Sequence, residues 1–132
     1  KFVGMEYVQN IKAGSADGPI RVQFVGKTVS TWLTMAAAPK TEVLTGDGPC
    51  ASVLDRVPLA MVTRNGAEAC FAAVLEPALN GRTPTVSAVS VEQKDGNAVI
   101  AVRVGDSTET VTLTPSNALR VICGGKAVLE SK

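Results

Sequence analysis

Histidine is missing from the chain altogether. That absence removes Ser-His-Asp and Cys-His nucleophilic arrangements, histidine-based zinc sites and the commonest general base. Aromatic residues are scarce as well, with one Trp, one Tyr and three Phe, so few rings remain for a stacking platform once a core has taken its share. No apolar run approaches the roughly 18 residues a membrane span needs, and no signal-peptide pattern opens the sequence. Neither sign of charge dominates: 13 Lys and Arg stand against 12 Asp and Glu. They form no basic stripe, which argues against nucleic acid as a partner. Cys50, Cys70 and Cys123 include no CxxC pair, so a thiolate metal site is not expected. They read as small buried apolar residues. Glycine-rich phosphate loops of the GxxxxGK[ST] or GxGxxG kind are absent, and 46–49 resembles them only superficially. Neither a cofactor nor a metal is therefore expected.

What is present describes a folded domain. Hydrophobic residues make up 45% and charged residues 19% of 132, enough chain for one core and one domain spanning 1–132. The sequence opens Lys-Phe rather than Met, which suggests a piece of a longer protein. Turn dipeptides punctuate it at short intervals: Asp17-Gly18, Asp47-Gly48, Asn65-Gly66, Asp95-Gly96, Gly105-Asp106 and Gly124-Gly125. Between them lie Val-, Thr-, Ile- and Ala-rich segments, the pattern of an all-β, hairpin-rich antiparallel sandwich of about ten strands. Nothing reads as a helix. Strands are expected over 5–13, 20–26, 28–36 and 41–44, then in two arms within 57–77. The last third adds 85–93, 98–104, 108–114, 119–123 and 126–129.

The 57–77 stretch, VPLAMVTRNGAEACFAAVLEP, reads as a central hairpin turning at Asn65-Gly66, with Pro58 and Pro77 near its ends. Alternation places Phe71, Ala73 and Leu75 on one face, with Phe71 as a core residue. In 28–36, Val29, Leu33 and Met35 share a face, with Ser30, Trp32 and Thr34 opposite. Ala98, Ile100, Val102 and Val104 share another, from which Arg103 points away. The 46–56 segment, GDGPCASVLDR, reads as a loop crossing between sheets.

No catalytic constellation emerges. Asp47, Asp55 and Glu76 are the carboxylates that a two-acid hydrolase would need, but no spacing sets two of them face to face. They read as turn acceptors and surface charges, and Glu76 as a strand-end hydrogen-bond acceptor. For ligand binding, Tyr7 and Trp32 are the rings free of core-like patterns. Arg56, Arg64 and Arg82 are the partners they would offer a carboxylate or sulfate, although Arg64 and Arg82 also read simply as solvated turn residues.

Several stretches, in order, resemble a known family. TEVLTGDGP (41–49), DRVP (55–58) and CFAAVLEP (70–77) look like the C-terminal β-rich region of heparinase II/III-like polysaccharide lyases. EYVQNIKAG (6–14) and WLTM (32–35) fit the same region. The resemblance implies a non-catalytic accessory β-sandwich that braces the catalytic toroid of its parent chain and contacts acidic polysaccharide, in a secreted or periplasmic bacterial enzyme. None of that family's catalytic groups falls on a residue of this sequence. Two alternatives remain open, an independent carbohydrate-binding module and a bacterial surface interaction domain.

Overall fold

The computed structural model describes residues 4–52 and 54–131. Lys1 and Phe2, behind the expectation of a longer parent, and Val53 in the 46–56 segment lie outside them. A 3₁₀ turn at Met5–Tyr7 opens the described chain. Eleven antiparallel strands follow: β1 Gln9–Ala16, β2 Ile20–Val25, β3 Val29–Met35, β4 Thr41–Pro49, β5 Arg56–Arg64 and β6 Ala73–Leu79, then β7 Val86–Lys94, β8 Asn97–Val104, β9 Ser107–Leu113, β10 Leu119–Cys123 and β11 Lys126–Glu130. The all-β, hairpin-rich reading holds, and among the described residues there is no α-helix. The first expected strand is the exception at its start, because Met5–Tyr7 turns and pairing begins at Gln9.

These strands form two compact units, 1–17 with 38–69, and 18–37 with 70–132. The first is a three-stranded sheet in the order β1-β4-β5. Its centre is the long β4, paired with β5 from Thr41↔Arg64 to Pro49↔Arg56. Consequently 46–49 and Arg56 belong to strands. Instead of a crossover, only 50–55 remain, as the tip of a hairpin closed by Cys50 N–H to the Asp55 carbonyl at 3.0 Å.

The second unit holds a three-stranded sheet, β2-β3-β6, and a five-stranded meander, β11-β10-β9-β8-β7. Turn chemistry sets much of the meander. Asp95 and Gly96 both adopt positive φ, 52° and 77°, as a two-residue type I′ hairpin requires. A small aliphatic core joins the two sheets: Ala36, Ala72, Val86, Val89 and Val102, with Val74, Val91, Ile100 and Val104 packed on it. The expected inward face of 98–104 is part of that core, and Arg103 is exposed.

The central hairpin does not form. Its first arm, β5, pairs with β4, and its second, β6, pairs with β3. Neither Asn65 nor Gly66 adopts positive φ. A dipeptide preference acts over one turn, whereas the β4–β5 ladder runs the full length of both strands, so the longer pairing prevails. Pro58 and Pro77 still occupy edge strands, where a missing donor costs least.

Orientation also differs from expectation in the β2-β3-β6 sheet. Phe71, expected in the core, is 50% exposed and Leu75 63% exposed, while β3 is covered on both sides, Ser30 and Thr34 being 2% and 3% exposed on the face of Trp32 and Met35 7% on the other. Along β6, Val74, Glu76 and Ala78 are the half-buried residues. Strand β6 carries apolar groups on both faces, so alternation alone could not say which one turns inward. The cysteines differ too: Cys50 is exposed, and Cys70 and Cys123 are only partly buried.

These placements separate core from surface. Val89→Ala is expected to cost roughly 1–3 kcal/mol by removing methyls from the inter-sheet core. Phe71→Ala should cost less than about 1 kcal/mol, well below the 3–5 kcal/mol of a buried ring. Urea unfolding followed by the fluorescence of Trp32, the only tryptophan and a reporter on the second unit, would measure both.

Candidate functional site

Polar side chains gather in two places, one in each unit. In the first, the 3₁₀ turn and the start of β1 lie against the β4–β5 hairpin. Tyr7 N–H and Val8 N–H close the turn onto the Gly4 and Met5 carbonyls. The turn presses on Gly46, where an added Cβ would lie 2.8 Å from both the Gln9 carbonyl and a Val8 methyl. Only glycine permits so close an approach. A guanidinium N–H of Arg56 donates to the Tyr7 carbonyl, so the last rung of β4–β5 holds the turn in place.

Between Gln9 and Lys12 the register of β1 slips against β4, and Asn10 takes up positive φ, 53°. Such irregularities re-aim side chains. Here the Asn10 amide donates to an Asp47 carboxylate oxygen at 2.6 Å, and Asp47 stands opposite Gln9 on one side and Pro58 on the other. One end of the sheet therefore carries an exposed tyrosine, 53% accessible, with an arginine, an asparagine and an aspartate. Tyr7 and Arg56 were visible in the sequence as ligand candidates. Asn10 was not, because only the slipped register brings it to Asp47. At the opposite end of β5, Arg64 donates through Nε to the buried Thr41 hydroxyl at 3.2 Å, which itself donates to the Ala38 carbonyl at 2.7 Å. That position serves the framework and lies far from Tyr7.

The second place lies between β6 and β7. Glu76 Oε1 accepts from the Thr85 N–H at 2.7 Å and the Thr85 hydroxyl at 2.8 Å, while Oε2 accepts from the Val86 N–H at 2.9 Å. Arg21, on the same face of the sheet, donates to the Val86 and Ser87 carbonyls at 3.0 and 3.1 Å. Glu76 is thus an acceptor, as its sequence setting suggested, but from the middle of its strand. Burial pushes its carboxyl upward. The backbone bonds from Thr85 and Val86, the Thr85 hydroxyl and the Arg21 charge outweigh that effect and hold its pKa below the ordinary value.

Trp32 pairs with Glu76 across the strands. Its ring is half-buried and its indole N–H is buried without a partner, so it is poorly placed as a stacking platform. Arg82 is exposed in the turn after β6, its N–H closing that turn onto the Leu79 carbonyl at 3.0 Å. A shallow hollow of about 430 Å³ near the end of β10 is lined by Arg120 and Glu130, which neutralise each other at 2.9 Å.

Among the described residues no three His, Cys, Asp or Glu side chains converge on a metal site. Glu76 accepts three hydrogen bonds, and Asp47 is held by Asn10. The Cys123 thiol is pushed up by burial and then by its hydrogen bond and proximity to Glu109. Among the described residues no helix is long and apolar enough to cross a membrane.

The Glu76 clasp carries a pH signature. A carboxyl whose folded pKa is depressed stabilises the fold above its unfolded pKa and loses that contribution as pH falls through the folded value. Glu76→Gln should lower Tm by several degrees at pH 7, and the gap between the variant and the native chain should close in acid below the ordinary glutamate range. Thermal melts from neutral to acid pH, followed at Trp32, would read it. Comparison with known proteins leaves the site to its own geometry: no family model matches the chain, and no curated protein matches it.

Proposed function

We propose that this chain is a non-catalytic β-structured accessory body that contacts acidic polysaccharide through the Tyr7–Arg56 end of its β1-β4-β5 sheet. The ordered sequence motifs suggest the setting, a heparinase II/III-like polysaccharide lyase of secreted or periplasmic location whose catalytic domain is its partner. The observation that carries the contact is that the exposed Tyr7 and the Arg56 guanidinium share one end of the sheet, the guanidinium donating to the Tyr7 main-chain carbonyl.

An aromatic face stacks on the apolar side of a sugar ring, and planar polar groups around it fix the orientation. A guanidinium has five N–H donors in a fixed fork and can accept a carboxylate or sulfate while one donor remains on a carbonyl. Asp47 would repel an acidic group, so it directs the ligand's charge toward Arg56 and leaves hydroxyls for itself and Asn10.

The alternative of a self-sufficient carbohydrate-binding module uses the same residues and differs only in needing no parent. Titrating the chain with heparin, heparan sulfate and alginate oligosaccharides tests both. Saturable binding in the millimolar range or tighter is expected, weakened about tenfold or more by Tyr7→Ala and by Arg56→Ala, equivalent to about 1.4 kcal/mol or more. No unsaturated, ultraviolet-absorbing product should form. Release of such a product would overturn the non-catalytic reading, and unaltered binding by both variants would overturn the site.

A further inference from the structure

Two Asn-Gly pairs occur in the chain, Asn65-Gly66 and Asn80-Gly81, and the fold holds them in opposite ways. Asparagine followed by glycine is chemically labile, because no Cβ on the second residue hinders the approach of its nitrogen to the asparagine side chain. Reaction requires that nitrogen to come over the side-chain carbonyl carbon, so any bond that pins either group protects the pair.

Asn80 is pinned. Its Nδ2 donates to the Gly26 and Lys27 carbonyls at 2.9 and 3.1 Å, and its Oδ1 accepts from the Ser30 hydroxyl at 2.7 Å. Its own N–H donates to the Thr28 carbonyl at 3.0 Å, and the turn through Gly81 is closed by the Arg82 N–H on the Leu79 carbonyl. The amide thus staples the β2–β3 turn to the end of β6. Asn65 has no such bonds. The β4–β5 ladder ends at Thr41↔Arg64, and 65–69 are exposed and outside any strand. Among the described residues no hydrogen bond holds the Asn65 amide or the Gly66 N–H.

We infer that Asn65 is a site of spontaneous deamidation, converting to aspartate and isoaspartate while Asn80 keeps its amide. Solvent hydroxide takes the Gly66 N–H proton, and the nitrogen attacks the Asn65 side-chain carbonyl carbon. The new C–N bond closes a cyclic imide as the bond to Nδ2 breaks; ammonia leaves, taking a proton from water and returning the hydroxide. Water then opens the imide. Addition at the side-chain carbonyl leaves aspartate in the original main chain, and addition at the main-chain carbonyl leaves isoaspartate, with the chain running through the former side-chain carbon. The balance is amide plus water giving acid plus ammonia. The place gives the change its weight, because the chain leaves the first unit at Ala69 and enters the second at Cys70. Isoaspartate lengthens the main chain just before that connection, and either product adds a negative charge there, taking the formal net charge from +1 to zero.

The full chain, held folded in mildly alkaline buffer and then cut after glutamate at acid pH, releases the two pairs on separate peptides because Glu68 lies between them. Mass spectrometry should show Asn65 turning into the acid about tenfold or more faster than Asn80, the protection expected from the bonds that reaction at Asn80 must break. Fragmentation should place isoaspartate at residue 65. In urea, where those bonds are gone, the two rates should converge. Isoelectric focusing of the folded chain should show an acidic species that grows with time and with pH, and Asn65→Gln should remove it with an unchanged circular dichroism spectrum, since the Asn65 side chain holds nothing. Equal rates at the two sites in the folded chain, or an Asn65 that reacts only in urea, would overturn the inference. So would an acidic species that forms in Asn65→Gln at the native rate. Asn65 follows the end of β5 opposite Arg56 and no glycan enters the test, so its outcome is independent of the polysaccharide reading.

Discussion

A single carboxylate governs how the larger unit is put together. Glu76 projects from the middle of β6 and accepts from the Thr85 N–H, the Thr85 hydroxyl and the Val86 N–H, the groups at which the chain leaves one sheet and enters the next. Strand alternation then leaves no choice for the rest of β6. If Glu76 faces β7, so do Val74 and Ala78, and Leu75, Pro77 and Leu79 must face away. Arg21 ties the far strand of the same sheet to the next two carbonyls, of Val86 and Ser87. A polar clasp thereby decides which apolar set enters the core and which becomes surface.

That constraint accounts for a core of unusual make-up. The buried members of the inter-sheet core are Ala and Val alone; Ile20 and Met35, also buried, lie on the opposite side of the β2-β3-β6 sheet. Phe24, Leu33, Leu75 and Leu79 lie instead on the outer side of the β2-β3-β6 sheet. Side-chain methyls contribute to stability roughly in proportion to the apolar area they remove from water.

Much of this architecture was legible in the sequence. Asp95-Gly96 and Gly124-Gly125 mark real turns because the positive φ they favour is the φ they adopt, and the strands from 86 onward form a meander in which each pairs with its neighbour in sequence. Asn65-Gly66 carried the same signal and misled, because β5 had a longer partner in β4. The inward face of β6 was illegible for a different reason. Both of its faces are apolar enough to be core, and the deciding group, Glu76, finds its donors ten residues on, in a segment whose position depends on the sheet-to-sheet step. At the candidate ligand site Tyr7 and Arg56 could be named from residue type, whereas Asn10 required the register slip in β1 that turns it toward Asp47.

The arrangement of the larger unit therefore rests on Glu76 being ionised and holding Thr85 and Val86 in solution. Backbone amide NMR across an acid titration tests this directly. The Thr85 and Val86 N–H resonances should move together, with a common midpoint below the ordinary glutamate pKa, and Glu76→Gln should abolish the movement. Amide shifts that stay still through the acid range, or that titrate unchanged in the variant, would contradict the clasp and with it the outward orientation of Leu75 and Leu79.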